Sequence, residues 1–302
     1  MIEFNHVYYS YKQHKFSAIS ALSDVTFRIQ KGEYVGIIGD NGSGKSTLAR
    51  LINGLLYPDF GEVIVNGINT NNTADALQIK KMVGMVFQNP DNQLVGSTVE
   101  DDIVFGLENL EIRIDEIEKR VTNYLSLLNI GQLRDCNTTT LSGGQKQLVN
   151  LAAVMAMEPE YIVLDEPTAM LDPVATMRIR TILRRLHQSG VGVIHITQYP
   201  QEIALSDTVY VIRQGKIVCQ GTPTEIFLQN TYVSNSTSQP QESTALKIAH
   251  HLRSLGIEIR PEVLTPEQFV EEICRLKFEM SATTINTQRY PLGKPQSVSL
   301  TI

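Results

Sequence analysis

The sequence has few of the features that mark disulfide-bonded, secreted or membrane-spanning proteins. It contains no tryptophan and three cysteines, which are far apart and form no CxxC pair, so we interpret them as reduced thiols: Cys136, Cys219 and Cys274. No apolar run approaches the roughly 18–20 residues that a membrane helix needs. The amino terminus lacks the basic and apolar regions of a signal peptide. We therefore expect any membrane role to depend on a partner.

An excess of basic charge is also missing. The 302 residues include 26 Lys and Arg against 32 Asp and Glu, which gives a net charge of −6. Bulk electrostatics therefore gives no indication of nucleic-acid binding, and we predict no nucleic-acid partner. The hydrophobic fraction of 42% suits a globular protein. The length allows one large domain and a smaller appendage.

Short apolar runs alternate with helical patterns along most of the chain. Runs of this kind predict buried strands, and they occur at 34–38, 161–164 and 191–196. Such alternation predicts an α/β fold with a mainly parallel sheet and helices on both faces. Three further stretches predict strands of an antiparallel patch, at 2–11, 21–30 and 61–67.

The most specific motif follows the first buried run. It fits G-x-x-x-x-G-K-[ST] in full and reads Gly39-Asp40-Asn41-Gly42-Ser43-Gly44-Lys45-Ser46. A strand precedes it and a helix follows, which is the context that a phosphate-binding loop requires. Glycines allow close approach of the backbone, so that N–H groups at the helix start can cradle phosphates. We expect Lys45 to reach the β- and γ-phosphates and Ser46 to ligate Mg²⁺.

Two carboxylates follow a second buried run. Asp165 and Glu166 come directly after Tyr161-Ile162-Val163-Leu164. Ligands of such sheets lie beyond the carboxyl ends of the strands, so we expect both carboxylates to face the phosphate-binding loop. Asp165 would hold Mg²⁺, and Glu166 would polarise the attacking water as a general base.

A third motif, Leu141-Ser142-Gly143-Gly144-Gln145, predicts the start of a helix capped by Ser142. Together with the first two motifs, and in the same order, it resembles the signature of ABC ATPases. The resemblance spans residues 2 to about 228. It implies a P-loop NTPase fold of the ABC type, with an antiparallel β subdomain and a helical insert, that binds ATP and Mg²⁺ and hydrolyses ATP.

The resemblance also assigns roles to single residues. Gln88 resembles the glutamine that senses Mg²⁺ and nucleotide, and Tyr11 resembles the aromatic that stacks on adenine, with Tyr8 and Tyr9 as alternatives. Residues 169–172 resemble the loop that meets a second subunit. Because such ATPases work in head-to-tail pairs, the signature would serve the nucleotide of a second ABC ATPase subunit. The nucleotide-binding residues are then Tyr11, Gly39 to Ser46, Thr47, Ser142, Gly143, Gly144 and Gln145.

Two stretches, 87–102 and 246–276, resemble the energy-coupling factor ATPases of cobalt, nickel and vitamin transporters. This implies import of a vitamin or a transition-metal ion through a transmembrane coupling subunit and a substrate-binding membrane subunit. The chain would then be a peripheral protein at the cytoplasmic face of the cell membrane. The predicted parts are an ATPase domain at 1–230 with a helical subdomain at about 90–157, a linker at 231–243, a helical dimerisation region at 244–280 and a polar tail at 281–302.

One position departs from the family pattern. Gln198 stands where ABC ATPases carry a switch histidine, and His195, three residues earlier, fits the strand pattern better than a relocated switch. Glutamine can donate a hydrogen bond to the γ-phosphate but carries no titratable proton near neutral pH. We hypothesise that this chain's own site is slowed, which favours a heterodimer with a second ATPase over a homodimer.

Two other classes of function remain open from the sequence. Soluble ABC proteins of translation or DNA repair usually carry two cassettes or a long coiled-coil insertion, and this chain has one cassette and no such insertion. The other class is a nucleotide-binding regulator with little turnover, which Gln198 leaves possible. The retained Glu166 argues against complete loss of hydrolysis.

Overall fold

Two β-sheets form the framework of the first part of the chain. The computed structural model describes residues 1–12, 18–169, 171–228, 244–260, 263, 265 and 268–276. The larger sheet has the strand order β10-β9-β3-β8-β7-β6. Its strands are β3 (Tyr34–Ile38), β6 (Val83–Val86), β7 (Tyr161–Asp165), β8 (Gly192–Thr197), β9 (Thr208–Arg213) and β10 (Lys216–Gly221).

The larger sheet is parallel except at one edge. β3 pairs in parallel with β8 and β9, and β7 pairs in parallel with β6 and β8, whereas β9 and β10 form an antiparallel hairpin. Every residue of β3, β7 and β8 is buried, as their continuous apolar sequences predict. The predicted α/β class is therefore confirmed, although the sequence analysis did not identify β6, β9 or β10.

Helices cover both faces of the larger sheet. Along β7, Ile162 and Leu164 join the apolar cluster with the helices α3 to α6, whereas Val163 joins the cluster with α1. This alternation follows from the period of two along a strand. The helices of this part of the chain are α1 (Lys45–Ile52), α2 (Ala76–Met82), α3 (Val99–Glu108), α4 (Ile114–Leu127), α5 (Gly143–Ala156), α6 (Pro173–Gln188) and α7 (Pro223–Leu228).

The smaller sheet is antiparallel and has the order β2-β1-β4-β5. Three of its strands begin and end within a few residues of the predicted limits, at β1 (Ile2–Lys12), β2 (Ala18–Ile29) and β4 (Phe60–Val65). The fourth, β5 (Ile68–Asn69), was not predicted. The smaller sheet shares a core with α1 and one face of the larger sheet, where Phe4 and Phe27 stack with their ring centroids 4.6 Å apart.

The predicted helical subdomain contains α3, α4 and α5. Thr98 starts α3 with a capping box, in which its hydroxyl accepts from the Asp101 N–H and the Asp101 carboxylate accepts from the Thr98 N–H. Arg134 binds Glu100 on α3 and Glu118 on α4, and its hydrogen bond lowers the pKa of Glu100. These bonds tie the two helices together.

The described residues from 244 onward form a second unit. It contains α8 (Thr244–Ser254) and a helical stretch at 268–276, and Gly256 takes a left-handed φ of 81° just after α8. Arg260 and Arg275 both bind Glu272, and these partners lower the pKa of that carboxyl to about 2. The predicted linker at 231–243 and tail at 281–302 lie outside the described residues. Among the helices that are described, none has the length and apolar character of a bilayer-spanning segment.

Candidate active site

The phosphate-binding loop connects β3 to α1 at the carboxyl end of the larger sheet. Gly42 and Gly44 have φ values of 78° and 107°, which glycine adopts without a steric penalty. A Cβ on Gly39 would lie 2.2 Å from the Ile212 carbonyl oxygen. The sequence therefore needs glycine at these positions, and the loop takes the fold that the motif predicts.

A pocket of about 350 Å³ opens above this loop. A Cβ on Gly42 would meet no atom within 4 Å, so the backbone of the loop faces open space at this point. The amino terminus of α1 lies below, where unpaired N–H groups favour an anion. The pocket is lined by Tyr11, Ile19, Ser20, Ala21, Asn41, Gly42, Gly44, Lys45, Ser46, Thr47, Gln88 and Glu166.

Lys45 carries the positive charge of the pocket. Its ammonium donates to the carbonyl oxygens of Gly39 at 2.8 Å and Asp40 at 3.0 Å, and it lies 3.5 Å from Glu166 Oε1. The side chain is only 5% exposed. Because a buried ammonium needs anionic or dipolar partners, this position suits the contact with phosphate oxygens that the motif predicts.

Ser46 and Asp165 meet beside the pocket. Ser46 Oγ donates to Asp165 Oδ1 at 3.1 Å. Asp165 is the last residue of β7, and its burial raises the pKa of this carboxyl, against the effects of the Ser46 hydrogen bond and of Arg50 and Lys45. A cation bound next to Asp165, or a shorter distance between Lys45 and Asp165, would favour the ionised form of this carboxyl.

The oxygen-bearing side chains of the pocket fit Mg²⁺. Magnesium is commonly held by one or two carboxylates together with substrate phosphates and water, and not by a cage of protein ligands. Ser46, Asp165 and Gln88 offer such a partial set. In the described part of the chain, no group of three His, Cys, Asp or Glu side chains is placed to hold a metal.

Glu166 follows β7 in an unusual backbone conformation. Its φ is 47°, in the left-handed region that costs a residue with a side chain about 1–3 kcal/mol and that is found often at active sites. Its N–H donates to the Ile196 carbonyl oxygen at 2.9 Å, and this bond attaches the turn at Glu166 to the neighbouring strand β8. Gln88 Nε2 donates to Glu166 Oε2 at 2.9 Å. The carboxylate is thus directed towards Lys45 and the pocket.

Tyr11 is the one of the three candidate tyrosines that lines the pocket. Its hydroxyl lies 3.2 Å from Thr47 Oγ1, and its ring meets Tyr9 edge to face at 5.0 Å. Tyr9 packs against the core, and Tyr8 lies on the surface. This geometry favours Tyr11 for stacking on a base.

The signature segment, Ser142 to Gln145, is absent from the lining of this pocket. Ser142 caps α5 in a capping box with Gln145, and Ser142 and Gly143 are exposed. A Cβ on Gly143 would meet no atom within 4 Å. The amino terminus of α5 is therefore exposed and is not part of the pocket above the phosphate-binding loop.

Gln198 comes directly after β8 but is also absent from the pocket lining. Its amide Nε2 lies 3.5 Å from the Tyr199 hydroxyl. His195 lies inside β8, as its strand pattern predicts, and its side chain is fully buried. The structure therefore brings Lys45, Ser46, Gln88, Asp165 and Glu166 together, and Gln198 is not among the residues that line the pocket.

Several residues around the site carry no recognisable sequence motif. Ile19 to Ala21 line the pocket, and a buried carboxylate, Glu202, binds the hydroxyls of Thr168 and Thr197 next to the site. No local motif marks Glu202, because one partner, Thr168, is 34 positions away and the other, Thr197, ends a buried strand that has no sequence feature pointing to this carboxylate. The Gly215 N–H also donates to the Ser43 carbonyl oxygen at 2.9 Å, so the β9–β10 turn supports the phosphate-binding loop.

Comparisons with known proteins agree with this geometry. The profile of the family described as ABC transporter matches residues 22–169. The "Energy-coupling factor transporter ATP-binding protein EcfA1" of Caldanaerobacter subterraneus subsp. tengcongensis is 42% identical over 276 residues, which are 91% of this chain and 99% of the relative. The protein of the same name from Enterococcus faecalis is 44% identical over 272 residues, or 90% and 96% of the two chains.

Solved structures show the same likeness. The structure of cbiO1 from Clostridium perfringens, described as part of the ABC transporter complex cbiONQ, has a TM-score of 0.69 and 32% identity, and the match covers 84% of this chain and 96% of that one. The ATP-binding cassette MJ0796, solved as a dimer in a post-hydrolysis state with ADP and Pi, has a TM-score of 0.68 and 27% identity, with 74% and 99% coverage.

Proposed function

Since this chain belongs to the ABC transporter family, among its energy-coupling factor ATP-binding proteins, we propose that it hydrolyses ATP to drive import of a vitamin or a transition-metal ion through membrane subunits. The observation that carries the proposal is the convergence of Lys45, Glu166 and Gln88 on one pocket, next to the Ser46–Asp165 pair. These are the groups that phosphoryl transfer to water requires.

Each side chain has a part that follows from its position. Lys45 holds phosphate oxygens against the backbone N–H groups of the loop, and Tyr11 supports the base. Glu166 orients a water and takes its proton, while the Gln88 amide fixes the carboxylate from the other side. Ser46, Asp165 and Gln88 would hold Mg²⁺, which when bound neutralises charge on the phosphate oxygens.

The proposed function requires a second ATPase subunit. The exposed start of α5 at Ser142 and Gly143 supports a site shared between two subunits, since this segment does not line the chain's own pocket. We infer a heterodimer, because a different partner could carry the histidine that Gln198 replaces. The relatives' names and the cbiONQ description support membrane subunits as further partners, and so a peripheral location at the cytoplasmic face of the membrane.

Purification of the tagged full chain from solubilised membranes of its native host tests this function. We expect mass spectrometry to identify a second ATPase and at least one membrane subunit, and we expect the complex to hydrolyse ATP. Absence of membrane subunits would contradict the transporter role. A complex in which this chain is the one ATPase species would contradict the heterodimer but not the transporter role.

Replacing Gln198 with histidine should raise the ATPase rate of the complex severalfold. A histidine can hydrogen-bond the γ-phosphate and also exchange a proton near neutral pH, whereas the glutamine amide cannot. Steady-state ATPase assays of the purified complex measure the change.

The matched control is Gln188→His, the same exchange at the end of α6. Gln188 is exposed and is absent from the pocket lining, so this variant should keep the parental rate. An unchanged or lower rate for Gln198→His would contradict the idea that this site is slowed by its glutamine.

A further inference from the structure

A buried carboxylate in the loop after β8 binds both the turn after β7 and the end of β8. Glu202 ends the short 3-10 turn at Pro200–Glu202, and its side chain is 7% exposed. Its Oε1 accepts a hydrogen bond from the Thr168 hydroxyl, and its Oε2 accepts one from Thr197 Oγ1 at 2.6 Å. Because a buried carboxylate needs hydrogen bonds in place of water, the two threonines account for its presence here.

Both threonines lie close in sequence to residues of the active site: Thr168 is in the turn after β7, and Thr197 is the last residue of β8. Thr168 is two residues after Glu166 and lies in the turn where the Ala169 N–H donates to the Glu166 carbonyl oxygen at 3.2 Å. Thr197 comes directly before Gln198, and its hydroxyl also accepts from the Tyr199 N–H at 3.0 Å. One carboxylate is therefore bonded at the same time to the turn that carries the general base and to the strand end that precedes the switch position.

His195 lies beside the Glu202 carboxylate, and Tyr34 lies beside His195. His195 Nε2 lies 3.5 Å from Glu202 Oε2, a distance too long for a strong hydrogen bond but short enough for electrostatic attraction. His195 Nδ1 lies 3.0 Å from the Tyr34 hydroxyl, and the two rings are nearly parallel at 17°. Burial alone would raise the pKa of Glu202, but His195 and the two threonines outweigh it and lower that pKa below its ordinary value.

We propose that Glu202 is a positioning residue for ATP hydrolysis, which holds Glu166 and Gln198 in a fixed relative position through Thr168 and Thr197. The inference rests on the proposed ATPase function and adds a residue that does not line the pocket. Loss of the Thr168 hydroxyl would free the turn after β7 from the carboxylate, and loss of the Thr197 hydroxyl would free the end of β8. A shift of about 1 Å in a reacting group can cost about 10²-fold in rate, so a small displacement of the Glu166 loop is sufficient.

Valine and serine substitutions at the two threonines test the proposal in the purified complex. Valine keeps the shape and removes the hydroxyl, whereas serine keeps the hydroxyl. We expect Thr168→Val and Thr197→Val each to lower kcat about tenfold, with the KM for ATP changed less than about twofold, since the loops position the reaction and not the nucleotide. Thr168→Ser and Thr197→Ser should keep more of the rate than the valine variants.

The double valine variant should lose less than the product of the two single losses, because both hydroxyls act through one carboxylate. The rate of the Lys45→Ala complex gives the contribution of sites that belong to other subunits and is subtracted throughout. Glu202→Ala should lower kcat at least as much as either valine variant. If thermal unfolding shows that Glu202→Ala does not fold, the threonine variants decide alone.

Thr70→Val is the matched control. Thr70 is a buried threonine in the antiparallel part of the fold, and its hydroxyl has no hydrogen-bond partner among the described residues. A parental kcat in Thr168→Val and Thr197→Val would overturn the inference. An equal loss of kcat in the serine and valine variants, or a raised KM with an intact kcat, would overturn it as well. A parental complex without ATP turnover would contradict the proposed function itself, which separates the two failures.

Discussion

Replacement of Lys45 with alanine is expected to abolish the ATP turnover of this chain and to weaken its ATP binding about 10- to 100-fold. The ammonium is buried and lies at the pocket, so it contributes charge-assisted hydrogen bonds to phosphate, each worth about 1.5–3 kcal/mol. Equilibrium binding of a fluorescent ATP analogue and steady-state ATPase assays measure the two effects.

Lys31→Ala serves as the control for this experiment. Lys31 pairs with Glu160 at 2.6 Å, but its side chain is 66% exposed and does not line the pocket. Both ATP binding and turnover should stay at the parental level in this variant. A Lys45→Ala protein that binds ATP as tightly as the parent would contradict the assignment of the phosphate-binding loop.

Replacement of Glu166 with glutamine is expected to lower kcat about 10²- to 10⁴-fold while ATP binding is retained. Glutamine has the same shape and can still pair with Gln88, which donates to Oε2 at 2.9 Å, but it cannot take a proton from water. The measurements are single-turnover hydrolysis and the affinity for the ATP analogue.

Glu160→Gln is the matched control, since Glu160 is a second carboxylate at the opposite end of the same strand. It should leave kcat unchanged, because its partner Lys31 is a surface residue. Retention of more than about a tenth of the parental rate in Glu166→Gln would assign the proton transfer to another group.

The fold around the predicted phosphate-binding site could be derived from the sequence because it is built from local patterns. A buried strand, a glycine loop and a helix start follow one another at 34–52, so one motif predicts both structure and role. Asp165 and Glu166 could be added because parallel strands bring their carboxyl ends to one edge. The sequence already favoured Tyr11 but left Tyr8 and Tyr9 as alternatives, since the three share one strand, and Tyr11 is the one of them that lines the pocket.

The parts that the sequence did not predict depend on contacts between distant residues. Glu202 binds Thr168 across 34 positions, and neither residue belongs to a periodic pattern. β9 and β10 were missed although Gln214 and Gly215 join them in a tight turn with φ values of 48° and 74°. β10 lies at the edge of the sheet, so its side chains alternate between exposed and half-buried positions. Such a pattern predicts a strand less clearly than a continuous apolar run does.

That hairpin turn has a practical consequence for labelling this protein. Tight turns between edge strands are usual places for inserting an epitope or a fluorophore, because few contacts depend on them. Here the Gly215 N–H binds Ser43 within the phosphate-binding loop, and the Gly215 carbonyl accepts from the Ser23 N–H at 2.8 Å. An insertion between Gln214 and Gly215 would therefore disturb nucleotide affinity, and a reporter is better attached elsewhere on the surface.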